Sequence, residues 1–176
     1  TTELKKIGIP VAQIFTISDE VESIKQSLKS AFERADMVIT TGGLGPTKDD
    51  ETKTAFKEYF NDEIILDPET FAHLGRYFEK RGRAHLLELN RSQAEVLSKA
   101  IVFQNDFGSA PCQLIQENGK TVFSLPGVPF EVKPLIKDKI IPFLTEKFGL
   151  NHIVTHTVSV VGIPESLLSE QIESWE

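Results

Sequence analysis

Apolar positions in this chain switch repeatedly between short continuous runs and stripes at helical spacing, which predicts alternating strands and helices. Leu4 and Ile7 stand three apart ahead of Gly8, so residues 1–7 read as the last turns of a helix closed by a glycine. Val11 to Ile17 reads as a strand, followed by Ser18 and Asp19 as caps for a helix striped by Val21, Ile24, Leu28, Ala31 and Phe32. Met37 to Thr40 is apolar on both faces, as a buried parallel strand is, and a helix bearing Phe56, Tyr59 and Phe60 follows. Helical spacing returns from Pro68 through Phe71, Leu74 and Phe78 to Gly82, and Ser92 to Leu97 reads as a further short helix. Ile101 to Phe103 predicts a strand, while Gln113–Gln116 and Thr121–Leu125 flank Asn118-Gly119, a strong hairpin signal. Pro126-Gly127-Val128-Pro129 turns rigidly into a helix with Val132, Leu135 and Ile136, and Pro134 lies close enough to its first turn to be tolerated. His152 to Val161 alternates as a strand, and Pro164 to Ile172 as a terminal helix. The alternation defines one α/β domain over residues 1–176 with a mixed sheet.

Charge narrows the partners. Nineteen basic against twenty-six acidic residues leave a net charge of −7, which opposes nonspecific contact with nucleic acid or an anionic membrane. A small anion would therefore need local backbone donors or a metal. No apolar run approaches the roughly 18 residues of a membrane span and the first residues do not resemble a signal peptide, so the expected location is cytoplasmic. Cys112 is the only cysteine, which excludes an internal disulfide and favours a small buried hydrophobe.

The segment Thr40 to Thr52 supplies the chemistry. Gly42, Gly43 and Gly45 carry no side chains to keep an anion from the backbone N–H groups, and the helix that follows favours negative charge at its start. Thr41 and Thr47 can add hydroxyls, and Leu44 and Pro46 complete the turn. Asp49 and Asp50 would repel a bare phosphate, a conflict that a divalent cation between carboxylate and phosphate resolves. The plainer reading is a Gly-Pro turn capped by an aspartate. His152 and His156 are four apart, but in an alternating strand that spacing makes no metal pair. His73 and His85 fall in polar surroundings without a partner signature and read as surface residues, and Lys48 reads as a solvated loop lysine.

Three separated motifs coincide: Thr40 to Thr52, then Asn105-x-x-Gly108-Ser109-Ala110-Pro111, then Leu125-Pro126-Gly127-Val128-Pro129 with Glu131. Together with Asn90-Arg91-x-Gln93-Ala94 and Gly162-Ile163-Pro164-Glu165, they resemble the molybdopterin-binding-type domain of the competence/damage-inducible protein A (CinA-like) family over nearly the whole chain. That resemblance implies a three-layer fold with a mostly parallel mixed sheet and a β-hairpin, similar to molybdenum-cofactor biosynthesis proteins. It also implies an opening strand and Gly-Asp-Glu-Leu loop before Thr1, which this sequence does not contain, so a longer natural product is expected. Ser109 stands where the family has threonine and Cys112 where it has glycine, which keeps the hydroxyl and changes the backbone freedom. No amidase activity is expected, because the family's C-terminal amidase domain lies beyond Glu176.

The activity implied is metal-dependent cleavage of ADP-ribose to AMP and ribose 5-phosphate, with Mg²⁺ or a transition ion such as Co²⁺ or Mn²⁺. The alternatives are a non-catalytic domain that binds molybdopterin or a nucleotide, and a pterin adenylyl or molybdenum transferase. Asp50 matches the family's aspartate at the metal and phosphate site, Asp49 adjoins it, and Asp19 matches a second acidic position while also reading as a cap in Asp19-x-x-Glu22. Asn105, Ser109 and Pro111 would form a second wall, and Pro126, Gly127 and Pro129 a third. Glu131 would be an outer ligand of the ion or simply a helix-start carboxylate. A homodimer is expected through Phe71, Leu74, Tyr77 and Phe78, with packing on the same subunit as the alternative.

Overall fold

A computed structural model of the chain describes residues 1–47, 49–150, 153–154 and 157–173. Four strands form the main sheet: β1 (Met37–Thr41), β4 (Ile101–Phe103), β5 (Cys112–Glu117) and β6 (Lys120–Leu125), in the order β1-β6-β5-β4. β1 runs parallel to β6, and β5 is antiparallel to both its neighbours, so the sheet is mixed with its parallel pairing at one side. The β5–β6 hairpin turns on Asn118 and Gly119, both at positive φ, as an Asn-Gly hairpin turn requires. A separate ribbon pairs β2 (Ile64–Leu66) with β3 (Glu95–Leu97).

The helices are α1 (Thr2–Lys6), α2 (Val21–Phe32), α3 (Thr52–Tyr59), α4 (Pro68–Glu79), α5 (Pro129–Pro134), α6 (Ile141–Phe148) and α7 (Glu165–Ile172). Strand alternation sorts the core into two faces. Cys112, Leu114, Phe123 and Leu125 point to one side and pack with Leu4, Ile7, Leu135, Ile140 and Leu144. Ile115 and Val122 point to the other and pack with Ile24, Leu28, Phe32, Phe56 and Phe60. Two helical layers thus enclose the sheet, each buried large side chain contributing roughly 1.5–3 kcal/mol. Asp67 caps α4 by accepting from the Thr70 amide at 2.8 Å, with Pro68 in the first turn. A π-helical segment, Leu135–Ile140, joins α5 to α6 between Pro134 and Pro142, where missing N–H groups disturb the regular ladder.

Several local expectations change. Val11 to Ile17 is irregular, and Ile14, Phe15 and Ile17 are exposed. A strand needs a partner, and among the described residues none pairs with this segment or with the outer edge of β1. Residues 88–94 form 3₁₀ turns, while Glu95–Leu97 is a strand rather than the end of a short helix. His152 and His156 lie outside the described residues, and residues 153–154 and 157–161 are not strand. Leu74 and Phe78, named for a dimer face, are buried within their own chain. No helix among the described residues is long and apolar enough to cross a membrane.

Candidate functional site

Strand register gathers the three motifs at one end of the sheet. Thr41, the last residue of β1, pairs with Leu125, the last of the parallel β6, so the loops that follow leave side by side. Cys112 opens the antiparallel β5 beside that same end and pairs with Phe103, the last residue of β4. The 104–111 loop therefore joins the other two, at the carboxyl ends of the parallel strands where α/β sheets place ligands. The first and third loops touch. The Thr41 hydroxyl donates to the Pro126 carbonyl at 2.6 Å, the Gly42 amide donates to the Leu125 carbonyl at 3.0 Å, and a Cβ on Gly127 would sit 3.3 Å from the Gly42 Cα.

Asp50 folds back on its own loop. Its Oδ2 accepts from the Thr47 amide at 3.0 Å and the Thr47 hydroxyl at 2.5 Å. Partial burial pushes this carboxyl up, but the bonds from Thr47 and the Gly45 amide, with the Lys53 charge, outweigh it and hold it below the usual aspartate range. It is a stable anion. Gly45 is required, because a Cβ there would lie 2.5 Å from the Asp50 Oδ2. Gly43, at φ +66°, is required more strictly, because its Cβ would lie 2.1 Å from the Thr52 hydroxyl. Thr52 closes the turn by donating its hydroxyl to the Gly42 carbonyl at 3.1 Å and its amide to the Gly43 carbonyl at 3.3 Å.

These bonds decide which groups remain for a ligand. The Thr41 hydroxyl and the Gly42 and Thr47 amides are already donating within the protein, which removes them from the expected phosphate cradle. The Gly43 and Leu44 amides have no backbone acceptor among the described residues, so they are donors this loop can offer. The Leu44 side chain is buried and anchors the turn. Pro46 and Asp49 are exposed beside it, and Lys48 lies outside the described residues.

Asn105 does not face a ligand. Its Oδ1 accepts from the Phe107 and Gly108 amides, both at 3.0 Å, and its Nδ2 donates to the Ala110 carbonyl at 3.0 Å and the Glu131 Oε2 at 2.8 Å. With its side chain fully engaged, it shapes the second loop and ties that loop to α5. Ser109 is half-buried and Pro111 buried in this wall; Pro126 is buried and Gly127 and Pro129 are exposed in the third. Glu131 packs where a Cβ on Gly108 would stand, 2.0 Å from its Oε2. Glu131 is therefore occupied with the second loop rather than paired with Asp50. Asp19 is exposed, and Glu20 rather than Asp19 takes the N-cap position of α2.

Among the described residues no three His, Cys, Asp or Glu side chains gather as a metal-holding group. An all-protein centre built from Asp50, Asp49 and Glu131 does not fit this arrangement. Mg²⁺ is commonly held through one or two carboxylates plus substrate phosphates, and for an ion arriving that way Asp50, with Asp49 adjoining, is a fitting donor set.

Sequence reasoning missed Lys53 and His73. Lys53 is buried beside the loop, and its ammonium reaches the Ser92 carbonyl at 2.5 Å. Burial lowers its pKa despite the opposing charges of Glu95 and Asp50. Only its position one residue after Thr52, on the inner side of α3, could have signalled this. His73 does have a partner: its Nε2 lies 3.0 Å from the Asn105 carbonyl.

A glycine turn, a fixed anion and two adjoining loops at the ends of parallel strands define an α/β domain of the molybdopterin-binding type. The family described as "Probable molybdopterin binding domain" matches residues 1–146, and the chain belongs to that family, on its CinA-like side. It is 42% identical over 173 residues to a CinA-like protein of Flavobacterium psychrophilum, and 39% identical over 170 residues to one of Dictyoglomus turgidum. Those alignments cover 98% and 97% of this chain and 41% of each relative, so the chain spans well under half of the proteins it matches. The crystal structure of CinA, a protein of unknown function from Thermoplasma acidophilum, superposes with a TM-score of 0.69 at 30% identity, covering 84% of this chain and 82% of that one. A molybdenum cofactor biosynthesis protein B superposes at 0.53 with 24% identity, covering 82% and 77%, and shares the fold.

Proposed function

We propose that this domain binds the diphosphate of a nucleoside diphosphate sugar at the glycine loop and hydrolyses it, with ADP-ribose giving AMP and ribose 5-phosphate. The observation that carries the reading is the ionised Asp50 folded against a turn whose Gly43 and Leu44 amides have no backbone acceptor among the described residues. Those two N–H groups would steady a phosphoryl oxygen, and the dipole of α3 behind them adds positive potential. Asp50, held in one orientation by Thr47, would position its carboxylate against the phosphate through the ion that arrives with it. A divalent ion bound there supplies charge neutralisation and a more acidic water. Water adds to one phosphorus, the bridging oxygen leaves with the other, and about two protons are released to solvent near neutral pH, one for each new phosphomonoester.

A second reading is capture of a nucleotide or pterin phosphate without turnover, favoured by the absence of a three-carboxylate group among the described residues. One assay separates the two: incubate the chain with ADP-ribose and Mg²⁺, Mn²⁺ or Co²⁺, and follow AMP by chromatography. Turnover that Asp50→Asn lowers at least a hundredfold supports hydrolysis. Saturable binding of ADP-ribose with no AMP supports capture, and neither binding nor AMP rejects both.

A further inference from the structure

A basic feature lies outside the glycine loop. One side of α4 and the 105–108 loop enclose a surface hollow lined by His73, Arg76, Tyr77, Lys80, Arg81 and Asp106. On a chain of net charge −7, four basic side chains around one hollow form a local reversal of sign. Its one carboxylate is already matched, because Asp106 is bonded to the Lys139 ammonium at 2.8 Å and faces the His73 ring at 3.7 Å. Arg81 is held in place: its guanidinium lies 3.6 Å over the Tyr77 ring and donates to the Tyr77 carbonyl at 3.2 Å. Tyr77 in turn donates its hydroxyl to the Phe107 carbonyl at 3.4 Å, fixing the rim to the loop. A guanidinium whose orientation is already set loses less freedom when it takes an anion, and its remaining donors suit phosphate oxygens.

We propose that this hollow is an anion site for a phosphate group, with Arg76, Lys80 and Arg81 as its ligands. Its lining shares no residue with the glycine loop, and the proposal does not depend on the reading given for that loop. Arg76 lies in the last turn of α4, Lys80 is its C-cap and Arg81 follows directly, where the helix dipole favours positive charge without any ligand. A titration followed by amide resonances separates the two roles. Inorganic phosphate, AMP and chloride are added in turn to the labelled chain at constant ionic strength. Phosphate should shift the amides of residues 76–81 and 106–107 saturably where chloride does not, and the double variant Arg76→Gln/Lys80→Gln should weaken that binding at least tenfold. Arg76 is an exposed helix position and Lys80 the exposed C-cap that follows it, and glutamine is well tolerated at such positions, so the fold is kept. Tighter binding of AMP than of phosphate at the same amides assigns the group to a nucleotide, and equal binding assigns it to the free ion. Asp50→Asn should leave these shifts in place, which keeps failure at the glycine loop distinguishable. Shifts that do not saturate, that match those with chloride, or that persist unchanged in the double variant overturn the proposal.

Discussion

The Asn105 side-chain amide donates to the Glu131 carboxylate at 2.8 Å, and this bond joins the second wall of the site to the helix that carries the third. Asn105 is 1% exposed and makes four hydrogen bonds, so its replacement strands several polar groups at once. Each buried unpaired group costs about 1–3 kcal/mol. Asn105→Ala is expected to lower unfolding stability by about 2–4 kcal/mol in urea. Glu131→Gln keeps an acceptor for Asn105 and should cost under about 1 kcal/mol. A small loss in Asn105→Ala would show that solvent replaces these bonds.

Gly43→Ala tests the turn itself. The new methyl would meet the Thr52 hydroxyl at 2.1 Å in a backbone region that L residues rarely adopt. The loop must shift, and with it the Gly43 and Leu44 amides. Expected are a stability loss of about 1–3 kcal/mol and at least a tenfold weaker affinity for a nucleoside diphosphate. Gly119→Ala, also at positive φ but with open space around its Cβ, should lose stability and keep affinity. Equal affinities in the two variants would separate the glycine loop from ligand binding.

How much of this could be read from the chain depends on how local each signal is. The glycine turn, the Asn-Gly hairpin and the start of α4 at Pro68 follow from backbone chemistry within a few residues, and each appears where it was expected. Convergence of the three loops followed from the family resemblance and is explained by register, since Thr41 and Leu125 end parallel strands together. Val11–Ile17 shows the limit: alternation marks a segment able to be a strand, whereas pairing depends on a neighbour. The short β2 and β3 have the same origin, because three residues carry too little periodicity to declare a ribbon. Asn105 was legible as part of the second loop's motif, yet its identity as the loop's organiser depends on contacts with residues 110 and 131.

Acid titration should expose Asp50. Its carboxyl lies below the ordinary aspartate range in the fold, so the stability it contributes is present above the unfolded-state value, about 3.9, and is lost as pH falls through the folded value. Asp50→Asn removes that dependence. The stability difference between the native chain and the variant should be constant near neutral pH and shrink below roughly pH 4. A difference that grows toward acid would mean the carboxyl is raised rather than lowered.

Lys53 predicts the opposite limb. Burial lowers its pKa in the fold, so as pH climbs toward the unfolded-state value, about 10.4, the unfolded chain holds a proton that the folded chain has released. Stability from this group therefore rises with pH across that window. Lys53→Met should remove the rise, measured as the alkaline slope of urea midpoints, while also losing the bond to the Ser92 carbonyl. An identical slope in both proteins would show that the ammonium stays charged in the fold.

Cys112 offers a probe of the core that needs no change in sequence. It is fully buried between β4 and β6, and burial pushes its thiol up to about 12. The thiolate is the reactive form, so both exposure and ionisation must be gained before an alkylating or disulfide reagent can attack. In native buffer near pH 8 the thiol should react at least a thousandfold more slowly than in 6 M urea. Because Cys112 lies against Leu114, Phe123 and Leu125 in one apolar cluster, labelling should follow global unfolding, with a rate that falls as stability rises. Rapid native labelling that is insensitive to urea would instead place an opening at the loop end of β5, beside Pro111.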